Sequence, residues 1–175
     1  MNNQISSLEI PHIPVMLNEI IKIASPSKGG LYIDCTFGGG GYTKAFLKFS
    51  KVRVIGFDRD NHVVSIARAL EKKFKERFRF FQLKFSQVDT VLKNRVDFIV
   101  FDLGISSIQL NNLKRGFSFK SKDKLDMTMG LCHTSAEEAI NNLSEKQLKK
   151  IIKILGEEQE ASKIAKNIVK FRSVK

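Results

Sequence analysis

Leu31-Tyr-Ile-Asp-Cys-Thr-Phe-Gly-Gly-Gly-Gly-Tyr-Thr43 decides the fold. An apolar strand pattern, Leu31–Thr36, runs into four consecutive glycines, and a helical pattern, Tyr42–Phe49, follows at once. Glycines in that place let the backbone turn sharply and let a ligand approach the main chain. A second apolar strand, Val52–Phe57, ends in Asp58, 20 residues after Gly38. A carboxylate there accepts hydrogen bonds from ribose hydroxyls. Strand, glycine turn, helix, strand and acid are together much more specific than any one of them. A tight turn that binds nothing is the competing reading, but four glycines in a row carry an entropy cost that a mere turn does not require.

Outward from the loop the alternation continues. Pro14 opens a short amphipathic helix with Val15, Leu17, Ile20 and Ile21 at helical spacing. Asp60 can cap a helix whose Val63, Val64, Ile66, Ala67, Leu70 and Phe74 face inward. Phe78–Leu83 reads as a third strand, and Ser86–Leu92 as a short helix opened by the capping box Ser86-x-x-Asp89. Val96–Phe101 is a fourth strand, apolar enough to be covered on both sheet faces. Such alternation predicts an α/β fold with a parallel, doubly wound sheet.

Past Asp102 the pattern changes. Residues 103–133 have loop character, and three helices follow. Ser135-x-x-Glu138 and Ser144-x-x-Gln147 are capping boxes, Gly156 is placed to end the second helix at its C′ position, and Ala161, Ile164, Ala165, Ile168 and Val169 form a third stripe. The expected division is a Rossmann-like part over 1–110 and a loop and helical subdomain over 111–175. No further strand follows Val96–Phe101, which leaves an apolar sheet edge, an aggregation liability. The sheet is therefore expected to be incomplete: a shortened version of a longer enzyme, or one whose edge another chain covers. The first ten residues read as disordered.

The loop also discriminates between ligands. A phosphate loop requires Gly-Lys-Ser/Thr at its end, and Gly41-Tyr42-Thr43 lacks the lysine. The dinucleotide fingerprint G-x-G-x-x-G, started at Gly38, would put its last glycine at Thr43. An acid opening the loop, Asp34, suits S-adenosylmethionine, a zwitterion without phosphate. A nicotinamide-dependent reductase is the alternative that the imperfect fingerprint disfavours.

The chain has 175 residues, enough for a sizeable core, with 42% hydrophobic and 27% charged residues, as in soluble globular proteins. No apolar run approaches the roughly 18 residues that span a bilayer, and Met1–Ile10 does not resemble a signal peptide. A cytoplasmic location with no membrane partner is expected. Cys35 and Cys132 form no CxxC pair and His12, His62 and His133 are scattered, so neither a disulfide framework nor a metal site is expected. The net charge of +12 suggests a polyanionic partner, although a coding bias toward Lys, Ile, Asn and Phe would raise it too.

Seven segments carry a family. They are His12-Ile-Pro-Val-Met-Leu-Asn-Glu19, Tyr32-Ile-Asp-Cys-Thr-Phe-Gly-Gly-Gly-Gly-Tyr42, Gly56-Phe-Asp-Arg-Asp60, Phe101-Asp-Leu-Gly-Ile-Ser-Ser-Ile-Gln-Leu110, Arg115-Gly-Phe-Ser-Phe119, Leu125-Asp-Met-Thr-Met129 and Gly156-Glu-Glu158. Over nearly its whole length the chain resembles the bacterial ribosomal RNA small-subunit methyltransferase H family, also called the MraW family. The resemblance implies the Rossmann-like fold of S-adenosylmethionine-dependent methyltransferases with a small helical insertion domain. It implies N4-methylation of a cytidine in 16S ribosomal RNA near the decoding centre, with the small ribosomal subunit as partner. A homodimer is a separate expectation, one way in which another chain would cover the sheet edge. Family cofactor contacts carry over onto Gly40, Gly41, Tyr42, Asp58, Phe85, Asp102 and Gln109. Tyr42 stands where the family usually has His, Thr43 where it has Ser, and Ile108 where it has Pro. Family members run to about 300 residues by resemblance. A remnant that binds cofactor or RNA without turnover is therefore the alternative function. Asp102 is a candidate acceptor for the hydrogens of the exocyclic amine, with Ser106 and Ser107 beside it, or binds cofactor only. Arg115-Gly-Phe-Ser-Phe119 with Lys120, Lys122 and Lys124 reads either as an RNA-holding loop or as a pair of core phenylalanines among solvated lysines. Lys163, Lys166 and Lys170 share a helix face that reads as solvated.

Overall fold

The computed structural model describes residues 14–93, 95–132 and 134–172, which fall into two units, Met1–Ile108 and Gln109–Lys175. The first ten residues, expected to be disordered, and His12 and His133 lie outside the described residues.

In the first unit the apolar runs become β1 (Gly30–Asp34), β2 (Val52–Phe57), β3 (Phe78–Phe81) and β4 (Phe98–Val100). All pair in parallel, in the order β3-β2-β1-β4. The chain steps outward from β1 to β3 and then crosses back to the far side of β1. Strand order thus reverses between β1 and β4, and ligands of such Rossmann-like sheets bind beyond the carboxyl ends at that reversal.

Period-2 alternation sorts the strand residues between the two faces. On one face Tyr32, Val52, Val54, Phe78, Phe80 and Val100 pack with side chains of α1 (Leu17–Ala24), α2 (Gly41–Phe46) and α3 (Val64–Phe74). The core there is aromatic: Tyr32 meets Phe46 edge to face with centroids 5.0 Å apart, and its hydroxyl donates to the Ala24 carbonyl at 2.6 Å. On the other face Ile33, Cys35 and Phe57 pack with residues around α4 (Val88–Val91).

That second face corrects an expectation. The fourth strand is three residues long, not six, and Ile99, paired in register with the fully buried Ile33, is 39% exposed. The difference has a visible source: the α-helix on this face has four residues, against eleven in α3 opposite. Two other local expectations change. The turn after β3 begins before Ser86, and the side-chain oxygen of Gln87, rather than an acid at Asp89, accepts the Lys84 amide at 3.2 Å. The first helix begins at Leu17, because Met16 takes a left-handed conformation at φ 52°.

A short helix, α5 (Ser107–Asn111), spans the boundary between the units. The second unit contains α6 (Ala136–Asn142), α7 (Glu145–Leu155) and α8 (Ala161–Arg172). Both expected capping boxes form. Glu138 N donates to Ser135 Oγ at 3.0 Å and Ser135 N to Glu138 Oε2 at 2.8 Å, and Ser144 and Gln147 repeat the arrangement. Gly156, expected to be left-handed beyond α7, has φ −94°, and Glu157 takes the left-handed conformation at φ 52° instead. Glycine is required at 156 for another reason: a Cβ there would stand 2.7 Å from the Ile152 carbonyl oxygen. Arg172 ties α8 back by donating to the Ile140 and Leu143 carbonyls at 2.6 and 2.7 Å. Among the described residues no helix is long and apolar enough to cross a membrane.

Candidate cofactor site at the strand ends

Three carboxylates lie at the carboxyl ends of neighbouring strands, on Asp34 closing β1, Asp58 after β2 and Asp102 after β4. Their exposure is graded. Asp34 is fully buried, Asp58 half-buried and Asp102 exposed.

Asp34 works from beneath the loop. Its Oδ2 accepts the Thr43 hydroxyl at 2.8 Å, and its Oδ1 accepts the Thr36 amide at 3.3 Å. Burial pushes its carboxyl up to about 6, against the pull of those donors. Asp58 spans the loop and the next turn. Its Oδ2 accepts the Gly38 amide at 2.8 Å and its Oδ1 the Asp60 amide at 2.9 Å. Burial raises this carboxyl too. Each carboxylate oxygen has two lone pairs, so Asp58 keeps acceptor capacity for a ribose after bonding both amides. Asp102 is joined to the loop through its backbone, whose amide donates to Thr36 Oγ1 at 2.8 Å. Thr36 thus links the ends of β1 and β4.

The four glycines divide into two pairs. A Cβ on Gly40, at φ 74°, would stand 2.9 Å from the Phe37 ring, and one on Gly41 would overlap the Pro14 ring. Gly38 and Gly39 are not crowded, since a Cβ there would meet Ser106 and Ile108 at ordinary contact distances of 3.8 and 3.9 Å, and Gly38 takes a left-handed φ of 50°. The family resemblance singles out Gly40 and Gly41 as cofactor contacts. Their lack of side chains is already explained by the protein's own packing. Of their two amides, that of Gly40 already donates to the Phe37 carbonyl at 2.7 Å.

Tyr42 is buried and stacks near Phe46, and its hydroxyl donates to the Val15 carbonyl. Burial, with Asp102 and Asp34 adding, raises its phenol. Its side chain is therefore used to hold the segment before α1. Phe85 is nearly half exposed just after β3, edge to face with Phe101 at 5.7 Å. Gln109 belongs to the second unit, where it is buried. Asp58, Phe85, Asp102 and the loop glycines thus share the carboxyl ends of the sheet. Sequence reasoning missed Thr36, and also the roles of Asp34 and Thr43 as the loop's hidden anchor. No short-range spacing signals them, because the Thr36–Asp102 bond joins residues 66 apart.

Cys35 continues β1 beneath this site. It is buried, its amide donates to the Val100 carbonyl at 3.0 Å, and burial with the Asp34 charge pushes its thiol up to about 11. Cys132 is exposed. Among the described residues no three His, Cys, Asp or Glu side chains gather as metal ligands. A separate cavity of about 390 Å³ in the second unit, lined in part by Lys124, Asp126 and Glu137, contains none of the strand-end residues.

The chain is 44% identical over 163 residues to the ribosomal RNA small subunit methyltransferase H of Bartonella tribocorum, covering 93% of this chain and 49% of that protein. The protein of the same name from Zymomonas mobilis is 42% identical over 93% of this chain and 50% of its own length, and that of Ehrlichia canis 42% over 94% and 57%. The chain spans about half the length of these curated relatives. A crystal structure of a candidate rRNA methylase from Clostridium thermocellum superposes with a TM-score of 0.47 at 18% identity over 54% of each chain. The sequence profile of the MraW methylase family matches residues 9–175, and with relatives this similar the chain belongs to that family.

Proposed function

We propose that this chain binds S-adenosylmethionine at the strand ends and serves the N4-methylation of a cytidine in 16S ribosomal RNA near the decoding centre, in the cytoplasm. One observation carries the reading: the Gly38 amide donates directly to Asp58, so the glycine turn and the half-buried ribose acceptor at the neighbouring strand end are held together. The residues fit the group. Asp58 would hold the ribose, the Gly41 amide the methionine part, and Phe85 would lie beside the adenine, while the Gly40 amide, donating to the Phe37 carbonyl at 2.7 Å, shapes the turn and Tyr42, donating to the Val15 carbonyl, holds its flank. Gln109 completes the set on the strength of the family resemblance.

When bound, S-adenosylmethionine supplies a methyl group on a sulfonium, ready for direct displacement by an amine. Little acid–base power is needed, and the protein's contribution is alignment. Asp102 is exposed beside the switch point with its backbone fixed by Thr36, so its carboxylate is positioned to accept hydrogens of an exocyclic amine and orient the nitrogen.

Calorimetry with S-adenosylmethionine tests the binding step. Asp58→Ala should weaken binding by about tenfold to a hundredfold, as for a lost hydrogen bond to a charged group. Asp58→Asn, which retains an acceptor for Gly38, should weaken it less. Binding of NAD in place of S-adenosylmethionine would overturn the reading. Label transfer from donor to small-subunit particles tests turnover, and cofactor binding without transfer would leave a binding protein only.

A further inference from the structure

The loop Leu113–Thr128 of the second unit is fixed from inside. Arg115 is buried, and its guanidinium donates to the Thr128 carbonyl at 2.6 Å. The Met127 amide donates to the Arg115 carbonyl at 2.9 Å. Gly116, at φ 72°, has no room for a side chain, because a Cβ would stand 2.8 Å from the Lys124 carbonyl oxygen. The turn beyond is bonded to itself and to the preceding segment: Ser121 N to the Ser118 carbonyl at 2.9 Å, Ser121 Oγ to the Leu113 carbonyl at 2.6 Å, and Asp123 N to Ser121 Oγ at 3.2 Å.

The two phenylalanines of this rigid loop have different fates. Phe117 is half-buried, with the Arg115 guanidinium 5.3 Å from its ring centroid. Phe119 is fully exposed, at 111% of its reference area. On the same loop Lys114, Lys120, Lys122 and Lys124 are also exposed, against one exposed acid, Asp123. Packing therefore accounts for Phe117 and not for Phe119. A bare ring on a braced turn, among four cations, is poor material for a protein interface, whose cores are depleted of lysine. It matches single-stranded nucleic acid, where bases stack on aromatic faces and phosphates meet lysines.

We propose that Phe119 is a stacking platform for an unpaired base of the RNA substrate, with Lys114, Lys120, Lys122 and Lys124 holding the flanking phosphates. The proposal rests on RNA being the substrate class of the protein. It assigns the second unit a strand-holding task separate from binding the methyl donor.

The sequence contains no tryptophan, so Phe119→Trp gives the protein a single fluorescent reporter at the platform. A short unstructured RNA oligonucleotide should bind this variant as tightly as the unmodified protein and quench its emission. Phe119→Ala should bind about fivefold to a hundredfold more weakly. Replacing Lys120 and Lys122 together by Gln should reduce the slope of log affinity against log salt by about 1.4. Because Phe119 is fully exposed, these variants keep the fold. Equal binding by Phe119→Ala would overturn the proposal, as would a tryptophan that responds to anionic phospholipid vesicles and not to RNA. If the unmodified protein binds no RNA, the platform is likewise overturned. Calorimetry with S-adenosylmethionine on the same preparation then shows whether the strand-end site stands without it.

Discussion

Gly38–Gly39 and Gly40–Gly41 are chemically the same pair twice, yet their surroundings are opposite. The second pair lies tightly against Phe37 and Pro14, while a Cβ on the first would meet Ser106 and Ile108 only at ordinary contact distance. In a run of glycines, then, some positions exclude a side chain because the protein fills the room and others have room for one. At the crowded positions glycine serves the fold whether or not a ligand binds; at Gly39, where neither crowding nor a left-handed backbone demands it, a ligand is the remaining reason.

The largest effect expected around this loop comes from the carboxylate beneath it. Asp34 titrates at about 6 in the fold against 3.8 as its ordinary value, so the folded chain keeps a proton that the unfolded chain has already lost. Stability should therefore fall as pH rises from about 4 to about 6, by about 3 kcal/mol from this group, and level off above it. Asp58, also raised, contributes with the same sign. Asp34→Asn should remove the Asp34 share of the slope in urea midpoints measured between pH 4 and 8. An unchanged slope would refute this account of the packed half.

Next in size is Gly41→Ala, which must push Pro14 aside and should cost about 1–3 kcal/mol, read as a lower thermal midpoint. The smallest expected stability change belongs to Gly39→Ala. Its backbone is not left-handed and its Cβ would stand 3.9 Å from the nearest atom, so the midpoint should move by no more than about 0.5 kcal/mol. The same variant should nonetheless weaken S-adenosylmethionine binding measurably. If Gly39→Ala left binding unchanged, the ligand would not approach at the uncrowded half.

Much of the fold was legible where its signals are local. In the first unit Val52–Phe57 is a strand over the residues read from the sequence, and in the second the boxes at Ser135 and Ser144 form as their spacing dictates. Val96–Phe101 looked equally apolar but yields three strand residues, since a strand's extent depends on what covers it as well as on composition. Ser86 and Gly156 failed for a related reason. Gln87 competed for the Lys84 amide, and the Ile152 carbonyl dictated the glycine that a left-handed turn would have explained equally well. At the site, the glycine run and Asp58 were legible from spacing. The burial of Asp34 and Tyr42, and the Thr36 link to Asp102, arise from residues brought together only by the sheet.

The buried Cys35 makes the molecule its own footprinting reagent. Alkylating agents react with thiolates, and a thiol at about 11 inside the fold offers almost none at neutral pH, whereas Cys132 is exposed. Native protein should consume one equivalent quickly and the second only as fast as the end of β1 opens. Since Cys35 adjoins Asp34 at the base of the glycine loop, any ligand that clamps the loop will lengthen that second half-life. Occupancy of the strand ends can thus be followed by mass alone, with no label on the ligand and no assay of turnover.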